Sequence, residues 1–456
     1  MEKLRNRLDG LLTTNQFTYQ ELRKMFVTLT LDQFFICFIS VLSTALVSSV
    51  GEAAIAAVSM VGTVNSLVSL VFMSLATGGA IVVARAKGRG DRQEIRQAIG
   101  EAVGLCGAAS LLLSALLFTF AETLVRLIYP NVEPLLIEYA VRYMRMMAIS
   151  FIPFSVFNAI FNIFRSLGDT RSSLFLTIVI NVSHLLLSLL FINGLGLGVA
   201  GSGLSYIVAR TLGMGLAVFW LMRHTPYHIR LRHFFRFQAS VTREIASLGM
   251  PLTLESLLTQ GGMLMVQVYL ARLTTTALAA HAVSNSMFNL YCAPANALTA
   301  LASTVCGQCY GAKRYDLMRQ YCRNIIRAGR FVLLLTVLIL YPLSPLLLKL
   351  YHASEQGTAM IYTCLRIAVF CMPLLWCDGN IPSMVLRTAG DSVYTGAVSV
   401  SALLLGRCAL GFTLTILLGV GVPGIWIALV CEWLARGIAL RLRFRGDRWL
   451  HVKSAS

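Results

Sequence analysis

The sequence reads as an all-α integral membrane protein, with twelve transmembrane helices in two six-helix lobes related by a pseudo-twofold axis along the membrane normal. Apolar residues make up 57% of the 456 residues and charged residues only 13%, roughly half the charge of a soluble chain. Apolar stretches of about 20 residues, each long enough to cross a bilayer as a helix, recur along the whole length. The chain also repeats itself: Ala54 matches Ala277, Ala57 matches Ala280, Val82 matches Val305 and Gly88 matches Gly311, an offset of 223. Two similar hydrophobic bundles in one chain are a transporter signature, because they can rock against each other around a site between them.

The twelve segments fall roughly at 25–50, 53–84, 95–121, 136–164, 172–193 and 198–222, then at 244–271, 277–308, 318–348, 358–386, 393–418 and 422–440. A cytoplasmic lead-in (1–24) precedes the N-terminal lobe (25–222). A cytoplasmic connector (223–243) joins it to the C-terminal lobe (244–441), and a cytoplasmic tail (442–456) follows. Strict apolar–polar alternation is absent, which argues against a β-barrel. The first residues, MEKLRNRLDG, hold no compact apolar core and no cleavage site, so no signal peptide is expected.

A net charge of +18 would suggest nucleic acid in a soluble protein, but its distribution here points elsewhere: 30 of the 38 Lys and Arg lie at the termini or in the even-to-odd loops. The opposite loops hold Arg126, Arg272 and Lys349, and Arg142, Arg145, Arg210, Arg366 and Arg407 fall near or inside helices. The positive-inside rule then places both termini in the cytoplasm and gives both halves the same orientation. The expected location is the plasma membrane, with lipid and a small molecule as partners, no nucleic acid, and a monomer sufficing. The connector RHTPYHIRLRHFFRFQASVTRE, Arg223–Glu244, interleaves Arg, His and Phe and is expected to lie on anionic headgroups.

Most of the eleven cysteines fall inside predicted helices and read as small apolar residues. Cys306 and Cys309 form a CxxC, but no second ligand pair or nearby His supports a metal or redox role. No Walker A pattern is present, so no nucleotide is expected.

The repeated landmarks carry a resemblance. VGEAAIAAVSMVGTVNSL (Val50–Leu67), ATGGAIVVARAKGRGD (Ala76–Asp91), LGMPLTLESLL (Leu248–Leu258), TALAAHAVSN (Thr276–Asn285) and GQCYGAKR (Gly307–Arg314) resemble the multidrug and toxic compound extrusion (MATE) family. The paired turns FRSLGDT (Phe164–Thr170) and LRTAGDS (Leu386–Ser392), and GVPGIWIAL (Gly421–Leu429), extend the likeness over nearly the whole chain. The resemblance implies an efflux carrier with no cofactor beyond Na⁺ or H⁺ as coupling ion, and organic cations or amphiphiles as cargo. It also implies a coupling acid on helix 1 in a V-D-T stretch. Here that stretch is Leu42-Ser43-Thr44, with Ser43 in the place of the Asp. A serine can bind Na⁺ as a neutral oxygen but cannot take up and release a coupling proton at accessible pH.

A carboxylate in a bilayer helix costs roughly 2.5–3.5 kcal/mol, so each is a functional candidate. Four qualify: Asp32 on helix 1, Glu255 on helix 7, Asp378 on helix 10 and Glu432 on helix 12. Asp32 and Glu255 share the 223-residue offset, which puts one acid in each lobe at an equivalent height. Asp32 has a second reading as a helix-start residue about two turns in. The family resemblance suggests Glu255 and Asp378 as a C-lobe cation site, open to Na⁺, although their positions do not match the family motif residue for residue. Alternatively, Asp378 pairs structurally with Arg366 or Arg407, and Glu432 with Arg436 or Arg407. Asp169 and Asp391 read as helix caps or loop ion pairs beside Arg165 and Arg387. Candidate cargo contacts are Asn158, Asn162, Asn181, His184, Asn285, Asn289 and Tyr291. His281 is a further titratable group near the start of helix 8.

The expected function is therefore cation-coupled efflux of a small amphipathic compound by alternating access. One alternative is a flippase for lipid-linked saccharides, which a positive cavity would favour and which Arg142, Arg145, Arg366 and Arg407 keep open. A membrane-embedded enzyme would need a catalytic cluster that the spacing of the seven His does not supply. A channel fits the two-lobe duplication less well.

Overall fold

A computed structural model describes residues 17–47, 52–129, 134–349 and 355–450. Within helices, the side chains of 38–47 and 52–60, among others, lie outside the described residues. The described chain is helical, with twelve long helices. They are α1 (Tyr19–Val47), α2 (Glu52–Arg89), α3 (Arg92–Thr119), α4 (Pro134–Ser166), α5 (Thr170–Ser188) and α6 (Gly198–His224). The second half repeats them as α7 (Ala239–Leu270), α8 (Thr275–Gly311), α9 (Tyr315–Lys349), α10 (Glu355–Thr388), α11 (Ser392–Ala402) and α12 (Val422–Arg445). A short helix, Ala121–Ile128, follows α3. Both α5 and α11 continue past their α-helical ends in wider π turns, Leu189–Gly194 and Leu403–Leu410.

Among the described residues, eight of these helices are long and apolar enough to cross a membrane, by length and composition alone. The others are α1, α7, α8 and α12, which carry Asp32, Glu255, His281 and Glu432. Large apolar side chains such as Leu112, Leu127, Phe331 and Leu405 point outward, as expected of a surface facing lipid.

The duplication is visible in the packing. In one half α4 packs on α2, α3 and α6; in the other α10 packs on α8, α9 and α12. The turns repeat as well. Gly196 and Gly419 have φ of 63° and 66°, and Gly198 and Gly421 have 55° and 72°, each pair 223 residues apart. Gly90, with φ 84°, is matched 223 residues on by Lys313, with φ 57°. A left-handed backbone costs a side-chain-bearing residue roughly 1–2 kcal/mol. Lys313→Gly is therefore expected to stabilise the protein by about 1 kcal/mol, read as a higher unfolding midpoint in detergent; a lower midpoint would show that the lysine side chain holds the turn.

The chain forms two compact units. Among the described residues, unit 1 takes those up to Phe34 and those from Leu254 on, and unit 2 takes those within Phe35–Thr253. Each repeat's first helix is thus shared out. Leu22, Met25 and Leu29 of α1 are buried in the core of unit 1. Their repeat mates Ile245, Leu248 and Leu252 of α7 are buried in the core of unit 2. Both triplets have the i, i+3, i+7 spacing that puts three side chains on one helix face.

Unit 2 also holds the connector. Its turn Leu231–Phe235 packs on α3, with Phe234 buried while Phe235 and Phe237 are exposed. The sequence of α3 explains the docking. Gly100 and Gly104 are one turn apart, and a Cβ there would lie 2.5 Å from the His233 carbonyl oxygen and 2.0 Å from that of Phe234. The backbone of the connector occupies the space that two side chains would fill. Arg96 Nε also donates to the Tyr227 carbonyl at 2.8 Å. Of the connector expected on headgroups, His233 and Phe234 are seated on the protein, because α3 leaves room for them, while Leu231, Phe235 and Phe237 stay exposed. Gly104→Val is expected to destabilise this docking by roughly 1–3 kcal/mol, seen as faster limited proteolysis between 225 and 238; unchanged cleavage would mean the turn is held elsewhere.

Candidate functional site

The four acids singled out from the sequence all belong to unit 1. The expectation of one acid per lobe differs from this partition, because α1 changes unit after Asp32 and α7 before Glu255. Asp32 is fully buried. It lies thirteen residues into a helix that begins at Tyr19 rather than near residue 25, about 20 Å along the axis. The helix-start reading therefore fails: the segment Tyr19–Lys24 is part of α1, with Thr18 and Glu21 bonded at its start at 2.9 Å. Ser43 is in α1, but its side chain lies outside the described residues.

Glu255, Asp378 and Glu432 each meet arginine. Glu255 Oε1 accepts from Arg387 of α10 at 2.5 Å, and both side chains are mostly buried. Its other oxygen, Oε2, is buried and makes no hydrogen bond among the described residues. Asp378 holds Arg330 of α9 at 2.8 and 3.0 Å and Arg441 of α12 at 2.5 Å. The partners anticipated for it, Arg366 and Arg407, are elsewhere: Arg366 donates to the Tyr341 hydroxyl at 3.0 Å, and Arg407 reaches Glu432 at 2.7 Å. Glu432 also faces Arg436, 3.8 Å away one turn on.

Arg436 links these pairs. It donates to Asn380 Oδ1 at 3.0 Å and lies within electrostatic range of Glu255, Arg387, Glu432 and Arg407. Gly379 makes this possible, since a Cβ at that position would sit 2.9 Å from Arg436 Nε. Gly406 plays the same part for α11, where a Cβ would meet the Glu432 backbone at 3.2 Å. Small residues thus let α10, α11 and α12 close around a buried chain of charges. Such a chain is held only if every member keeps a partner.

The caps behave differently from each other. Asp169 caps α5, accepting from the Ser172 amide at 3.2 Å and its hydroxyl at 2.6 Å. Asp391 makes no cap bond; it takes Arg443 of α12 at 2.8 and 3.3 Å, not Arg387.

In unit 2, Asn158, Asn162 and Asn181 each donate to the carbonyl one turn back, at 2.8–2.9 Å. Their amide oxygens are left to receive other donors. His184 lies against the Tyr206 ring, centroids 4.1 Å apart, with Ser188 Oγ 3.5 Å from its Nε2. The same ring meets Arg210, which sits 4.3 Å over Phe154 and donates to Ser150 Oγ at 2.7 Å. In unit 1, Asn285 and Asn289 are exposed on α8, and His281 Nε2 lies 3.4 Å from the Asn285 amide. Tyr291 is fully buried in the core of the unit, which also holds Phe288 and Cys292 of α8. Cys306 and Cys309 are buried free thiols.

Two buried groups escaped the sequence reading. Glu101 of α3 is fully buried and accepts from Thr242 Oγ1 at 3.0 Å and Gln97 Nε2 at 3.1 Å. Its position inside a predicted helix was signal enough to include it. Arg85, buried, pairs with Glu244 at 2.7 Å across 159 residues, a contact that no local spacing announces.

The family model MatE matches residues 29–190 and 251–413, one copy on each half. This chain belongs to the MatE family. It is a multi-pass membrane transporter, with the two-lobe, twelve-helix fold of that family. Among curated relatives, a probable multidrug resistance protein NorM of Thermotoga maritima is 22% identical over 394 residues, covering 84% of this chain and 82% of its own. The uncharacterized transporter YisQ of Bacillus subtilis is 23% identical, covering 84% of each. Among solved structures, a MATE in the straight conformation superposes with a TM-score of 0.84 at 18% identity, covering 93% of this chain and 96% of that one. A transporter of the MOP superfamily from Pyrococcus furiosus, described as having a binding pocket of reversed polarity, gives 0.84 at 17% identity, covering 93% and 95%.

Proposed function

We propose that this MatE-family protein is a secondary active exporter of small amphipathic organic compounds, driven by an inward cation gradient. The observation that carries it is the family match on both halves, joined to relatives described as multidrug resistance proteins. Alternating access by two duplicated bundles fits the repeated packing around α4 and α10. The exporter sits in the plasma membrane with both termini in the cytoplasm, as the basic loops suggest.

Of the two coupling ions, the side chains favour H⁺. A Na⁺ site needs several oxygens on one centre and no adjacent cation. Yet both Asp378 oxygens and Glu255 Oε1 are engaged by arginines. A proton arriving at Glu255 Oε2 would neutralise the carboxylate and release Arg387, a local charge change that can bias a two-state element. Asn158, Asn162, Asn181 and His184 are the candidate cargo contacts of unit 2, and Asn285 and Asn289 those of unit 1; Tyr291, buried in the unit 1 core, is not one.

A second reading has a specific observation behind it: Arg210 is buried in unit 2 among aromatic rings with no acid bonded to it among the described residues. That cation would suit an anionic cargo such as a lipid-linked saccharide. Expression in host cells stripped of their own exporters tests the choice. Lower accumulation of a fluorescent organic cation is expected; unchanged accumulation, with lipid-linked saccharide retained on the purified protein, would favour the second reading.

A further inference from the structure

At the basic end of unit 1, the last turns of α10 and α12 and the first half of α9 enclose a cavity of about 440 Å³. Six arginines line it: Arg319, Arg323, Arg327 and Arg330 from α9, and Arg441 and Arg445 from α12. Asp378 is the one carboxylate in the wall, and it is already shared between Arg330 and Arg441. Arg319 is satisfied outside the cavity by Asp447. Arg323, Arg327 and Arg445 are exposed and have no acidic partner among the described residues. Arg330 Nε is buried and makes no hydrogen bond there either.

This arrangement is costly as it stands. Arg319, Arg323 and Arg327 follow one another at four-residue steps, so they stack on one face of α9, where like charges repel. The lining holds no lysine. Guanidinium groups present flat, paired donors that match phosphate oxygens two at a time, which an ammonium cannot do. Ile326, Pro382 and Phe444 give the same cavity an apolar side. The volume lies in the range that holds a small ligand.

We propose that this cavity binds a phosphate-bearing anion, with Arg323, Arg327 and Arg445 supplying the donors around the Arg330–Asp378–Arg441 cluster. The anion provides the negative charge that the lining lacks and ties α9 to α12. Two sources offer this chemistry: the headgroup of an anionic phospholipid, whose acyl root the apolar side would receive, and a soluble pyrophosphate-like anion. The site stands whichever compound the protein exports.

The test uses the purified full-length protein in phosphatidylcholine nanodiscs. Its thermal unfolding midpoint is followed as phosphatidylglycerol is added to the discs, or as inorganic pyrophosphate is added to the buffer, because a ligand that binds the folded state raises the midpoint. Arg323→Gln/Arg327→Gln removes two cavity charges, and Arg232→Gln/Arg236→Gln removes two exposed charges from the connector. Wild type and the connector variant are expected to be protected alike, while the cavity variant needs more than about tenfold more ligand for the same rise. Protection by phosphatidylglycerol alone identifies a lipid headgroup, and protection by pyrophosphate identifies a soluble anion; either supports the site. No protection of the wild type, full protection of the cavity variant, or equal loss in the connector variant would overturn it.

Discussion

Glu432→Ala should be the most damaging single substitution in unit 1, costing about 3–5 kcal/mol. The carboxylate is 4% exposed and faces Arg407 at 2.7 Å and Arg436 at 3.8 Å, themselves 13% and 15% exposed. Removing it leaves two guanidinium groups in a low-dielectric interior without an anion, and the loss is the cost of stranding them, not the net worth of the pair. Arg436 would then also lose its hold on Asn380, loosening α12 from α10. The check is thermal unfolding in detergent, beside Glu432→Ala/Arg407→Met. The double variant should recover a good part of the loss, since it removes the stranded charge together with its partner. A single variant as stable as wild type would mean that water or lipid reaches this cluster.

Glu255→Gln should leave a folded protein that no longer couples a pH gradient to transport. The amide keeps the size of the side chain and can still accept from Arg387, but it cannot take or give up a proton. Gradient-driven accumulation of cargo in vesicles is expected to fall to the level of empty vesicles. Exchange of cargo at equal pH on both sides should persist, because it needs binding and rocking but no proton movement. Loss of both activities would instead make Glu255 a structural partner of Arg387.

The helices and their repeat were legible because both depend on local information: apolar length, and identity at a fixed offset. The turn at Gly90 and Lys313 shows the limit, since the offset predicts the shared left-handed backbone but not that one copy would accept a lysine there. The start of α1 is not legible, because Tyr19–Lys24 is charged and reads as a lead-in, while Leu22 and Met25 bury one face of it. Candidate acids were legible as charges in apolar helices. Their partners mostly were not. Glu255 finds Arg387 across 132 residues and Asp378 finds Arg330 across 48, distances over which spacing carries no geometric information. Glu432 and Arg436 were legible because one helical turn joins them. The docking of the connector was written in Gly100 and Gly104, but its partner was a backbone carbonyl, which leaves no trace in side-chain type.

The most direct measurement is efflux of a fluorescent organic cation from proteoliposomes containing only this protein, with pH and Na⁺ gradients imposed one at a time. Efflux driven by the pH gradient, indifferent to Na⁺ and lost in Glu255→Gln, is the predicted result. Efflux under neither gradient would contradict cation-coupled export, and efflux that follows Na⁺ alone would contradict the assignment of a proton to Glu255.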